Sequence, residues 1–220
     1  MNDRDQLFEA IKSDDLDSLK HILDSNPALA AAKNPQGLTP ILFARYHGRT
    51  SMLPLLKEAK PALDIFEAAA LGQSDQIRQL IGAFSVKPDA VSSDGFTPLQ
   101  LASFFGHLDA VKTLLTLGAH ANIQSQNPMK LVALHSAAAG GNALVVEALL
   151  DAGANVNARQ HGGWTALHAA AGQGSSEMTR ILTHHKADPQ AASDDGTTPA
   201  QLAELKGHRH VFNMLKPASV

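Results

Sequence analysis

A glycine recurs down this chain at nearly constant spacing: Gly48, Gly72, Gly106, Gly141, Gly174 and Gly207, with Asp14 in the equivalent place at the front. The steps are 34, 24, 34, 35, 33 and 33 residues. A period of this length marks a supersecondary unit that cannot bury its apolar face alone and stacks on its neighbours. The chain is therefore expected to form an all-α solenoid with no single central core. The repeat runs almost end to end through 220 residues and leaves no room for a second fold, so one elongated domain covers 1–220.

The clearest unit starts at Asp94-Gly95-Phe96-Thr97-Pro98-Leu99 and continues through Ala102, Gly106, Val111, Leu114, Leu115 and Gly118 to Asn122. Asp-Gly makes a tight turn at the tip of a finger, and the Thr97 hydroxyl caps a helix whose first turn tolerates Pro98 without losing a bond. Leu99 and Ala102 sit three apart and face the stack. Gly106 ends this first helix in a left-handed cap, and the second helix puts Val111, Leu114 and Leu115 on one buried stripe.

These residues resemble the ankyrin repeat, whose signature joins a turn, Thr-Pro-Leu-His, a helix-ending Gly, and Leu-Leu followed by Gly-Ala. Further copies are Thr165-Ala166-Leu167-His168 with Gly174, Ala133-Leu134-His135 with Gly141, Thr198-Pro199 and Thr39-Pro40 with Gly48. A degenerate opening copy holds Leu7, Ala10, Leu19, Ile22 and Leu23. The resemblance implies seven helix-turn-helix repeats with short β-turn fingers, over approximately 5–36, 37–63, 64–94, 95–128, 129–161, 162–194 and 195–217. It also implies bridging by Asn122 and Asn157 between successive turns, and structural work for His135 and His168. His107 and His208, after the turn glycine, are expected to help close their own helix turn.

Departures from the pattern are local. The 24-residue step arises where residues 59–64 lead directly into Ile65-Phe66-Glu67-Ala68, so one finger is expected to be missing there. Asn127-Pro128-Met129-Lys130 stands where another finger should have Asp-Gly. Pro54 falls inside the second helix of the second pair and should bend that helix or start it late.

Composition narrows the function. A net charge of -3 without a clustered Lys/Arg stripe removes the attraction that sequence-independent nucleic-acid binding needs. With no cysteine, neither a disulfide framework nor a thiolate metal site is expected. The acidic, amphipathic start does not read as a secretory leader, and no apolar run reaches membrane-spanning length, so a cytoplasmic protein away from the membrane is expected. No serine elbow, phosphate-cradling loop or confined carboxylate pair points to an enzyme. His184, His185 and His210, with His208 nearby, are left as a possible metal cluster, but neither a metal nor a cofactor is expected.

In the fold that the resemblance implies, first helices and fingers line a concave side. Five of the ten aromatic residues fall at such positions: Tyr46, Phe96, Phe104, Phe105 and Trp164. With Leu38, His47, Leu71 and Leu131 they make the candidate surface for a protein partner, since clustered exposed aromatics mark interaction sites. Inter-repeat packing of the same rings is the competing reading. The expected function is a non-enzymatic, monomeric protein-interaction module of unspecified partner. The alternatives are self-association through the tail at 216–220, and a small-molecule or metal site.

Overall fold

The computed structural model describes residues 2–60, 62–84 and 86–216, except for the side chain of Phe84. Three of the first helices begin in the same way. Thr39, Thr97 and Thr198 accept a bond from the backbone N–H three residues on, and a proline occupies the first turn behind each. Gln100 and Gln201 return the bond to the threonine N–H at 2.8 Å, completing a capping box. Each unit then reverses at a left-handed residue, such as Gly106 at φ 77° or Asp14 at φ 63°.

The result is fourteen α-helices and no strand among the described residues. They form seven pairs: α1 (Asp3–Ser13) with α2 (Leu16–Ser25), α3 (Pro40–Tyr46) with α4 (Leu53–Ala59), α5 (Ile65–Ala70) with α6 (Ser74–Phe84), and α7 (Pro98–Phe104) with α8 (Leu108–Thr116). The series continues with α9 (Ala133–Ala139) and α10 (Ala143–Asp151), α11 (Ala166–Gln173) and α12 (Ser176–His184), and α13 (Pro199–Leu205) and α14 (Arg209–Leu215). Odd-numbered helices pack on one another in a single layer from α1 to α13, and even-numbered helices from α6 to α14 form a second layer. Between the layers runs one continuous core. Leu7, Ile41, Ala68, Leu99, Leu134 and Leu167 enter from the first helices of the pairs, and Leu19, Leu56, Ile77, Leu114, Leu149 and Leu182 from the second helices, all at most 1% exposed.

Side chains bond each unit to the next. The Gln100 amide donates to Ile123 O and Leu131 O, and the rings of His135 and His168 donate through Nε2 to Ala158 O and Thr197 O at 3.0 Å. Their Nδ1 atoms accept the N–H of Val132 and Thr165, which fixes the neutral tautomer. Asn122 spans to Gly153 O and Asn155 N, and Asn157 to Lys186 O and Asp188 N. Asp89 heads this ladder by accepting from the N–H and ring of His120.

The expectation for His107 and His208 needs correction. Neither ring closes its own turn: Nε2 of His107 donates backward to Ala70 O, and Nε2 of His208 contacts Gly172 O, each in the preceding unit. Arg49 bonds Lys12 O and Asn142 bonds Phe104 O in the same way. The reason is geometric, because the last carbonyls of the preceding first helix lack intrahelical partners and lie within reach.

Among the described residues five fingers are present, each closed by backbone bonds across 34–38, 92–96, 125–131, 160–164 and 193–197. None precedes α5. There Asp64 caps the helix directly, and the fully buried Glu67 accepts two 2.7 Å contacts from the Lys60 ammonium. Because that finger is absent, its neighbours touch. Ser93 Oγ donates to Gly37 O at 2.9 Å, and Tyr46 OH donates to Asp94 at 2.6 Å. The run of Ala68, Ala69 and Ala70, each 0% exposed, lets the flanking first helices close over α5. Pro54 sits in the first turn of α4 behind a 3-10 turn at Thr50–Met52, so this helix does start late.

Candidate functional site

The end of α3, the fingers 92–96 and 125–131, and the inner faces of α7 and α9 enclose a cleft of about 160 Å³. A dry cavity of about this size admits one benzene-sized group. Tyr46, Phe96 and Phe104 supply aromatic walls, and Met129 closes the far side. Leu101, Leu131 and Ala139 complete the apolar surface. Gln100 reaches the wall, but its amide is already spent on Ile123 and Leu131. What the cleft offers is therefore shape and apolar contact, and it opens to solvent where Phe104 is 42% and Met129 is 51% exposed.

Tyr46 is held at the mouth by its bond to Asp94, whose other oxygen accepts from Ser92. Burial, together with the Asp94 carboxylate, pushes the Tyr46 phenol far above its ordinary value, so it stays a neutral donor. Behind it Phe105 lies 5.1 Å from Phe104 and 5.9 Å from Tyr46, with the Arg45 guanidinium 4.1 Å above its ring. That geometry is a cation–π contact.

The structure gathers only part of the candidate set. Tyr46, Phe96, Phe104 and Leu131 meet at the cleft, with Leu131 only 8% exposed. Phe105 stands beside it. Leu38 and Leu71 are partly buried against the core. His47 stacks 4.1 Å over Phe43 and contacts Phe43 O, away from the cleft. Trp164 belongs to the finger 160–164, where its ring meets His168 edge-on at 5.1 Å. Met129 was not among the candidates, and the signal for it is the 35-residue step from Gly106 to Gly141. Two extra residues lengthen the finger 125–131 and carry Met129 to the rim.

The histidines do other work. Burial lowers the affinity of His135, His168 and His107 for a proton, consistent with their neutral bridging tautomers. His184 and His185 pack edge-on, and among the described residues no three potential ligands gather around a metal-sized space. No helix among the described residues is long and apolar enough to cross a membrane. The segment 217–220, invoked by the self-association alternative, lies outside the described residues.

Comparison with known proteins gives a consistent result. The family profile "Ankyrin repeats (3 copies)" matches residues 7–125, 65–160 and 134–219. The chain is 41% identical over 105 residues to Ankyrin repeat and SAM domain-containing protein 6 of Rattus norvegicus, covering 47% of this chain and 12% of that protein. It is 33% identical over 113 residues to SH3 and multiple ankyrin repeat domains protein 1 of Homo sapiens, covering 50% and 5%. With Alpha-latrocrustotoxin-Lt1a of Latrodectus tredecimguttatus it shares 28% over 127 residues, covering 54% and 9%. The chain thus spans only a small part of each of these relatives.

Proposed function

Because the chain belongs to the ankyrin repeat family, we propose that it is a non-enzymatic protein-binding module that grips a protein partner on its concave side, at the cleft between the second and fifth helix pairs. One observation carries this reading: Phe104 and Met129 stand in solvent at 42% and 51% exposure, over a cleft walled by Tyr46 and Phe96. Apolar rings that only sealed the stack would be covered, as Leu99 and Leu134 are at 1%. Large apolar anchors filling such a pocket dominate affinity at protein interfaces. The mechanism is rigid docking, since the fingers that frame the cleft are bonded to one another before a partner arrives. We place the protein in the cytoplasm, as a monomer when unbound.

The test is affinity purification from the native host, followed by titration of the recovered partner against variants. Phe104→Ala with Met129→Ala is expected to weaken binding at least tenfold, a loss of about 1.4 kcal/mol or more. Leu144→Ala, on the opposite layer in α10 and 62% exposed, is expected to leave it unchanged. Equal effects of the two changes would remove the cleft from the interface. Light scattering over a concentration range separates this reading from self-association, which predicts a mass that rises with concentration.

A further inference from the structure

The finger 125–131 breaks a rule that the other four obey. Its left-handed position, filled by Gly37, Gly95, Gly163 and Gly196 elsewhere, is occupied by Lys130 at φ 49°. A residue with a Cβ is disfavoured in that region, and such strain persists where the side chain has a use. Inside the protein Lys130 has none, since its side chain is exposed and pairs with no carboxylate among the described residues. It sits between two cleft residues, Met129 and Leu131.

A second unpaired cation stands beside the cleft, on the Phe105 ring behind Tyr46. Arg45 stacks on Phe105, its Nε is buried without a partner, and no carboxylate reaches it among the described residues. Its NH2 group lies 3.4 Å from His107 Nε2, but that nitrogen already donates to Ala70 O and cannot accept. The opposing charges nearby are committed. Glu67 is buried against Lys60, and Asp94 is held by Tyr46 and Ser92. The helices α7 and α9 bring no formal charge.

We infer that the cleft selects an acidic peptide segment, in which one large apolar side chain enters between Phe104 and Met129 and flanking Asp or Glu residues meet Arg45 and Lys130. This rests on the cleft being the partner site and adds the chemistry of the partner. Complementary charge at the rim of an apolar pocket supplies specificity and a salt-dependent association rate.

The probe is a displayed library of random peptides selected against the intact protein. Expected winners carry an aromatic or long aliphatic residue beside Asp or Glu, and their binding weakens as salt rises. Against Arg45→Gln with Lys130→Gly, the acidic bias should vanish and a winning peptide should bind about tenfold more weakly. Arg45→Lys with Lys130→Arg, which retains both charges, should restore the bias. Lys130→Gly alone should raise the thermal midpoint while reducing affinity, which separates a recognition role from a structural one. Apolar winners without acidic bias, still lost in Phe104→Ala, would overturn this inference and leave the cleft reading standing. Winners indifferent to Phe104→Ala, no winners, or displacement by a single-stranded oligonucleotide in place of acidic peptide would overturn both.

Discussion

Replacing Lys60 by methionine removes the cation that, among the described residues, faces a buried carboxylate at the junction without a finger. Glu67 is 0% exposed, and its oxygens receive two 2.7 Å contacts from Lys60 and one 2.9 Å bond from Asp64 N–H. After the change only the N–H remains. Leaving one member of a buried ion pair alone costs about 3 to 5 kcal/mol. The Lys60 side chain keeps 17% of its surface in water, which already screens the pair, so the expected loss lies at the low end, about 3 kcal/mol. That is a large share of the roughly 5–15 kcal/mol that holds a domain folded. The double variant Lys60→Met with Glu67→Gln keeps the oxygen that caps α5 and removes both charges, and should recover to within about 1 kcal/mol of the parent. Urea unfolding followed by far-UV circular dichroism gives the cycle. Hydrogen exchange should show α1 to α4 opening ahead of the remaining helices in the single variant, since a solenoid separates at its weakest interface. A loss below about 1 kcal/mol for Lys60→Met, or a double variant no better than the single, would refute the reasoning.

Two further outcomes follow from the bonds between units. Gln100→Ala strands the carbonyl of Ile123 and the N–H of Thr97 and leaves Leu131 O with only the Ser125 N–H, and should cost about 2 kcal/mol in urea unfolding. Gln100→His should stay within about 1 kcal/mol, because the rings of His135 and His168 do the same work one and two units on. As for pH, burial depresses proton binding by His107, His135 and His168 in the folded chain, while the unfolded chain takes up those protons near pH 6.5. The unfolded state therefore binds more protons below that value, and stability is expected to fall as pH drops from about 7 to about 5. Urea midpoints across this range should show a smaller decline in His168→Gln. A parent midpoint that is flat or rises on acidification would contradict the assignment.

The architecture is legible in the sequence because its determinants are local. A threonine followed by proline starts a helix, and a glycine with positive φ ends one, whatever lies further away. The missing finger is equally legible, since residues 59–64 are too few to hold it. The substitute for it is not, because Lys60 and Glu67 look like surface charges until packing on α5 buries the carboxylate. The cleft divides along the same line. Leu131 and Trp164 occupy the same place in their fingers, yet one turns under the cleft and the other turns to His168. Side-chain direction at a fingertip depends on which neighbour leaves space, and that is a tertiary property. Met129 has no counterpart in the other units, so aligning them leaves it without a column.

The short third unit also sets a ruler. Bonds from tip to tip run on across the 24-residue step, Ser93 to Gly37 there as Gln126 to Gly95, His161 to Met129 and Asp194 to Gly162 elsewhere, while the helix layers hold one extra pair at that point. A ligand that touches both the tips and the first helices must carry a matching irregularity in its own contact points. A strictly periodic mimic would keep step with the tips and fall out of step with the helices.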